Sequence, residues 1–134
     1  HRLMNGNQGF KRADRVARDV HRVLSTVLLN DLADPALQKV VITAVKMTDD
    51  LRNAHVYWQP LSPDDESLPD QAEKAFSRAS AHIRSLLSKA LTLRYTPQLK
   101  FEYDHSIDRA RHMDNLFRRI EGDAVADGEP EPNR

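Results

Sequence analysis

The chain has no cysteine, one tryptophan and only four glycines among its 134 residues. Without cysteine there can be no disulfide framework, no thiolate nucleophile and no cysteine-based zinc site, which fits a cytoplasmic location. The glycines, Gly6, Gly9, Gly122 and Gly128, all lie near the two ends. A phosphate-cradling loop and a dinucleotide fingerprint both need glycine to bring backbone amides against the ligand, so neither is present. No apolar run approaches the roughly 20 residues of a membrane helix, and no signal-peptide pattern is expected. The six histidines (His1, His21, His55, His82, His105 and His112) form no i, i+4 pair and no ligand spacing, so no metal site is expected. Asp104-His105-Ser106 contains the residue types of a hydrolytic triad. However, neighbours in a chain seldom converge on one point, and no strained nucleophile turn of the G-x-S-x-G type accompanies them. A hydrolase using His105 or His112 stays only as a reading to be tested. Neither a catalytic residue, a cofactor nor a small-molecule substrate is expected.

What the chain does have is charge. Arg plus Lys and Asp plus Glu each number 20, so the formal net charge is zero. The two signs are unevenly distributed. Residues 1–30 hold six basic and two acidic side chains, and residues 71–100 hold six and one. Residues 31–70 hold three and eight, and residues 101–134 hold five and nine. The balances are therefore +4, −5, +5 and −4. If the two basic segments are neighbours in space they form one positive face suited to a polyanion; otherwise they are solvated surfaces.

Periodicity supplies the elements. Over residues 13–32, Val16, Ala17, Val20, Val23, Leu24, Val27 and Leu28 recur at helical steps. The opposite face carries Lys11, Arg12, Arg15, Arg18 and Arg22, and Asp34-Pro35 closes the helix. Residues 39–48 are β-branched, and 53–59 alternate Ala54, Val56 and Trp58 with His55, Tyr57 and Gln59. These two segments read as a hairpin about Asp49-Asp50-Leu51-Arg52. Trp58 shares a face with Val56 and is expected in the core. A long helix starts at Pro69 with the stripe Ala72, Ala75, Phe76, Ala79, Ile83, Leu86, Leu87. Its polar side carries Lys74, Arg78, Arg84, Lys89 and Arg94. Leu99, Phe101 and Tyr103 then alternate as a third strand, and residues 107–120 read as a short helix. Residues 1–10 are expected to be an extension or tag remnant, 11–120 a single domain, and 121–134 an acidic disordered tail. The order makes a two-layer α+β domain, with helices packed on one face of a three-stranded sheet.

Four stretches make a family resemblance. They are Arg12-Ala13-Asp14-Arg15-Val16-Ala17 running to Asp34-Pro35-Ala36-Leu37; Ala54-His55-Val56-Tyr57; Ile83-Arg84-Ser85-Leu86-Leu87 leading into Leu93 through Asp104; and Arg111-His112-Met113-Asp114-Asn115-Leu116. Over residues 11–120 the chain resembles the ribosome-binding factor A family of bacterial small-subunit assembly factors. The resemblance implies a type II KH-like fold, α-β-β-α-(kink)-α-β. It also implies binding to the immature 30S subunit and its 16S rRNA near the decoding region, support of late 30S assembly and 5′-end maturation, and a role in cold adaptation. A cytoplasmic, non-catalytic monomer is expected. Ordinary KH domains clamp the nucleic-acid backbone with a G-x-x-G loop, where this family has an Ala-x-Gly kink. The matching positions here are Ala79, Ser80 and Ala81, with alanine in the glycine place, so a mild bend centred on Ser80 is expected. The candidate RNA-binding residues are Arg12, Arg15, Arg18 and Arg22 in the first basic segment. The second segment adds Arg78, Ser80, Arg84, Lys89 and Arg94, and Arg111 lies beyond the third strand. The alternative is a protein-interaction adaptor of the same fold without direct RNA contact, docking through its acidic tail and an exposed Trp58.

Overall fold

The computed structural model describes residues 2–124. Its elements are α1 (Arg2–Asn30), a 3-10 turn (Leu37–Lys39), β1 (Val40–Met47), β2 (Asn53–Pro60), α2 (Leu68–Ala90), β3 (Gln98–Tyr103) and α3 (Ser106–Ala124). The chain divides into two compact units, His1–Tyr103 and Asp104–Arg134. The first holds the expected α+β arrangement: a mixed sheet in the order β1-β2-β3, with α1 and α2 on one face. Its first helix begins at Arg2, so the segment expected as an extension is helical from its second residue. The second unit contains α3, which runs past the boundary expected at residue 120. Of the tail expected over 121–134, residues 125–134 lie outside the described residues.

The apolar stripe of α1 becomes core: Ala13, Ala17, Val20, Leu24, Val27 and Leu28 are buried. At its end the Gln38 side-chain amide donates to the carbonyls of Leu28 (3.1 Å) and Leu32 (2.7 Å). The first of these carbonyls is one that a helix terminus leaves open.

β1 pairs antiparallel with β2, and Thr43 is an extra residue in the ladder: Ile42 faces Trp58 while Ala44 faces Tyr57. The bulge resolves a conflict in the sequence. Strict alternation from Val40 and Ile42 would turn Lys46 into the core, because each strand residue switches face. One inserted residue instead turns Val45 and Met47 inward and leaves Lys46 exposed. The ring of His21 on α1 hydrogen-bonds the Ile42 carbonyl at 2.8 Å, fastening the first helix to the bulged strand.

β3 pairs parallel with β2, from Asn53 opposite Gln98 to Trp58 opposite Tyr103, with α2 as the crossover. Trp58 lies at the centre, fully buried, with ring centroids 5.6 Å from Phe76 and 5.3 Å from Tyr103. Its indole nitrogen has no hydrogen-bond partner among the described residues.

The second helix differs from expectation. It is one uninterrupted α-helix from Leu68 to Ala90, passing through Ala79, Ser80 and Ala81 without the break that α-(kink)-α describes. The reason is local: alanine is the best helix former and glycine among the worst, so Ala81 favours continuation where glycine would favour a break. Ser80 does not back-bond to its own helix; the serine in α2 that does is Ser88, to Ser85 at 3.0 Å. α2 also ends earlier than Arg94, at Ala90. Residues 91–97 lead to β3 without regular structure.

Within its own unit, α3 exposes Ile107, Met113, Leu116, Phe117 and Ile120. Its start is held by the Asp104 carboxylate, which accepts the Ser106 amide at 2.9 Å, while His105 lies 4.0 Å from Asp108. Asp104 thus caps the start of α3. No helix of the described residues is long and apolar enough to cross a membrane.

Candidate nucleic-acid interface

Parallel pairing of β2 with β3 brings the starts of both strands together. The Gln98 amide donates to the Arg52 carbonyl at 2.8 Å, so the residues just before the strands meet: Arg52 from the hairpin and Thr92–Tyr95 from the segment after α2. Facing them is one side of α1, where Arg12, Arg15, Val16 and Asp19 fall at helical steps. Together these residues line a cleft of ≈ 560 Å³. Its wall carries four arginines (Arg12, Arg15, Arg52, Arg94) against two aspartates (Asp19, Asp50), with Tyr95 among them. The Tyr95 ring lies 4.8 Å from the Arg52 guanidinium carbon and 5.5 Å from that of Arg94.

The acids are already engaged. Asp19 lies 3.7 Å from Arg22. Asp50 accepts the Thr48 hydroxyl (2.6 Å) and the Arg52 amide (3.0 Å). Those two bonds, the hydroxyl first, hold its carboxyl below the ordinary carboxylate range despite full exposure. Asp50 therefore fixes the turn that presents Arg52. The turn also holds Leu51 at φ 61°, a left-handed conformation uncommon for a branched side chain. Among the described residues, Arg12, Arg15, Arg52 and Arg94 form no ion pair, which leaves a net positive cleft with donors free for phosphate.

The remaining sequence candidates are dispersed. Arg18 is exposed on α1 outside the cleft lining, and Arg22 is taken up with Asp19. Arg78 reaches across to Asp34 at 2.9 Å, which ties α2 to the loop after α1. Arg84 is half-buried, and its Nε and Nη2 donate to the carbonyls of Pro97 (3.0 Å) and Thr96 (2.9 Å). Its role in the fold is to hold the approach to β3. Ser80 is half-buried on a shallow groove with Phe76, Ser77 and Lys100. Ala79 packs against the core and Ala81 is exposed. Lys89 is exposed in the last turn of α2, and Arg111 is exposed on α3 in the second unit. No group of histidines and acids among the described residues has the arrangement to hold a metal ion.

Two cleft residues, Arg52 and Tyr95, are not among the sequence candidates. Both lie in loops, where periodicity is silent. The available signal was topological: strands joined through a helix run parallel, so residues preceding each strand share one end of the sheet.

Comparison with known proteins agrees with this architecture. A sequence model described as ribosome-binding factor A matches residues 12–117. Ribosome-binding factor A from Geobacter sp. (strain M21) is 35% identical over 119 residues, covering 89% of this chain and 97% of that one. Its counterpart from Trichlorobacter lovleyi is 38% identical over 110 residues, covering 82% and 88%. Among solved structures, ribosome-binding factor A from Thermus thermophilus superposes with a TM-score of 0.57 at 23% identity, covering 68% of this chain and 94% of that one, a likeness of fold. A homology model of the Thermus thermophilus factor, fitted into the cryo-EM map of its 30S complex, gives a TM-score of 0.54 at 25% identity, covering 66% and 91%. With the family model spanning most of the sequence and relatives aligned over nearly their full length, the chain belongs to the ribosome-binding factor A family.

Proposed function

We propose that this chain binds the immature 30S subunit through 16S rRNA, using the cleft between α1 and the start of β3, and supports late 30S assembly and 5′-end maturation. The observation that carries this reading is the group of four arginines, against two aspartates, gathered from three separate segments. Separate segments converge on like charge only against repulsion, and a polyanion removes that repulsion. The family, and the relative fitted into a 30S complex, support the choice of partner. The role is binding rather than catalysis, carried out by a monomer in the cytoplasm and most needed in the cold.

Co-sedimentation with small subunits from normal and maturation-blocked cells tests the reading. Wild type should favour the immature subunit, and Arg15→Glu/Arg94→Glu should bind it weakly. Equal binding by both proteins would refute the assignment. The adaptor reading combined the acidic tail, most of which lies outside the described residues, with an exposed Trp58; that residue is fully buried, which counts against this reading.

A further inference from the structure

Tyr95 is 52% exposed, whereas the other aromatic rings from Tyr57 through Tyr103 are buried or half-buried. An aromatic ring at the surface forgoes the burial that its area would otherwise contribute, so its position calls for a reason. The ring sits in a concavity, not on a convex surface, and two guanidinium groups lie against it. Arginine planes and aromatic faces are the two protein surfaces on which nucleobases stack. The cleft volume of ≈ 560 Å³ falls within the roughly 300–1,000 Å³ of pockets that enclose a small organic group. It is the scale of a nucleotide, not of a helix.

We propose that this cleft takes an unpaired RNA nucleotide: the base stacks on the Tyr95–Arg52–Arg94 cluster, while Arg12 and Arg15 hold the flanking phosphates. The inference rests on the cleft being the RNA contact, and adds which form of RNA it selects. A duplex keeps its bases stacked inside and offers the cleft only phosphate and sugar. All four arginines serve such a surface, but Tyr95 gains nothing from it. An unpaired nucleotide satisfies both parts of the site. Phosphate contact is therefore common to the two forms of RNA, and ring stacking separates them. Tyr95 needs its ring for this, not its hydroxyl.

The test uses the full chain and two probes: a short labelled single-stranded RNA without self-pairing, and the duplex it forms with its complement. Anisotropy titrations at one fixed salt concentration compare wild type, Tyr95→Ala, Tyr95→Phe and Arg15→Glu. Wild type should prefer the single strand. Tyr95→Ala should weaken single-strand binding by roughly 5- to 150-fold, the range of base–aromatic stacking losses, with duplex binding unchanged. Tyr95→Phe should bind both probes like wild type. Equal wild-type affinity for both probes overturns the proposal, as does an equal loss on both in Tyr95→Ala. If Arg15→Glu weakens binding to both probes and Tyr95→Ala weakens neither, only this inference falls. If Arg15→Glu also leaves both unchanged, the assignment of the cleft falls with it.

Discussion

The cleft makes a quantitative claim about salt. Each phosphate neutralised on a single strand contributes about −0.7 to the slope of log affinity against log salt. Arg12 and Arg15, each meeting one phosphate, give a slope of about −1.4, so raising salt from about 50 to 200 mM should weaken binding by roughly 7-fold. Arg15→Ala removes one contact, giving a slope of about −0.7 and a loss of roughly 3-fold over the same range. The matched control is Arg18→Ala, one turn along α1 and exposed, but outside the cleft lining. It should keep the wild-type slope. Fluorescence anisotropy on a labelled single-stranded RNA, repeated at four or more salt concentrations, yields the slope directly. The reasoning fails if Arg15→Ala leaves the slope unchanged, or if Arg18→Ala lowers it as much. Either result would mean that charge acts through the whole helix rather than through the cleft.

Other perturbations separate fold from site. Ile83→Ala empties a fully buried position on α2 and should cost about 2–5 kcal/mol, lowering Tm by about 8 °C or more; a shift near zero in thermal denaturation would argue against the described core. Arg84→Ala loses two bonds to the Thr96 and Pro97 carbonyls and should cost about 1–2 kcal/mol of stability while leaving the salt slope intact, whereas a reduced slope would make Arg84 a phosphate contact. Leu51→Gly removes left-handed strain of about 1 kcal/mol but adds unfolded-chain entropy of similar size, so urea midpoints should nearly coincide; Leu51→Val should be clearly worse. Asp50 has a depressed folded-state pKa, so its stabilisation is present above the unfolded pKa and fades as pH falls through the folded one. Below the ordinary carboxylate range the stabilities of wild type and Asp50→Asn should converge, and a gap that widens there in acid unfolding would contradict the bonds to Thr48 and Arg52.

Much of the fold was legible because burial imposes periodicity. The stripes of α1 and α2 and the alternation in β2 and β3 name the core residues almost one by one. Even the bulge left a trace, since Val40, Ile42, Val45 and Met47 skip a beat at Thr43. The kink at Ala79-Ser80-Ala81 was read from a family pattern whose glycine this chain lacks, and helix propensity carries α2 through these residues without a break. The site was harder to see. Arg84 looked solvent-facing from helical phase, yet its long side chain folds back onto carbonyls that the turn before Pro97 leaves open. Arg52 and Tyr95 are 43 positions apart in the sequence and meet only because β2 and β3 run in the same direction. Single-residue signals cannot report such a meeting; strand direction can.

The unpartnered indole of Trp58 has a practical consequence. The chain has one tryptophan, and that residue is enclosed by Phe76 and Tyr103. Its emission therefore reports from a dry, apolar environment and from nowhere else in the molecule. Unfolding would wet the indole and move the emission to longer wavelength. Filling the cleft engages Tyr95 and leaves the Trp58 signal where it was. Excitation selective for the indole thus follows the integrity of the fold, and a labelled RNA in the same sample follows occupancy. A variant that loses ligand without changing colour has lost only its site.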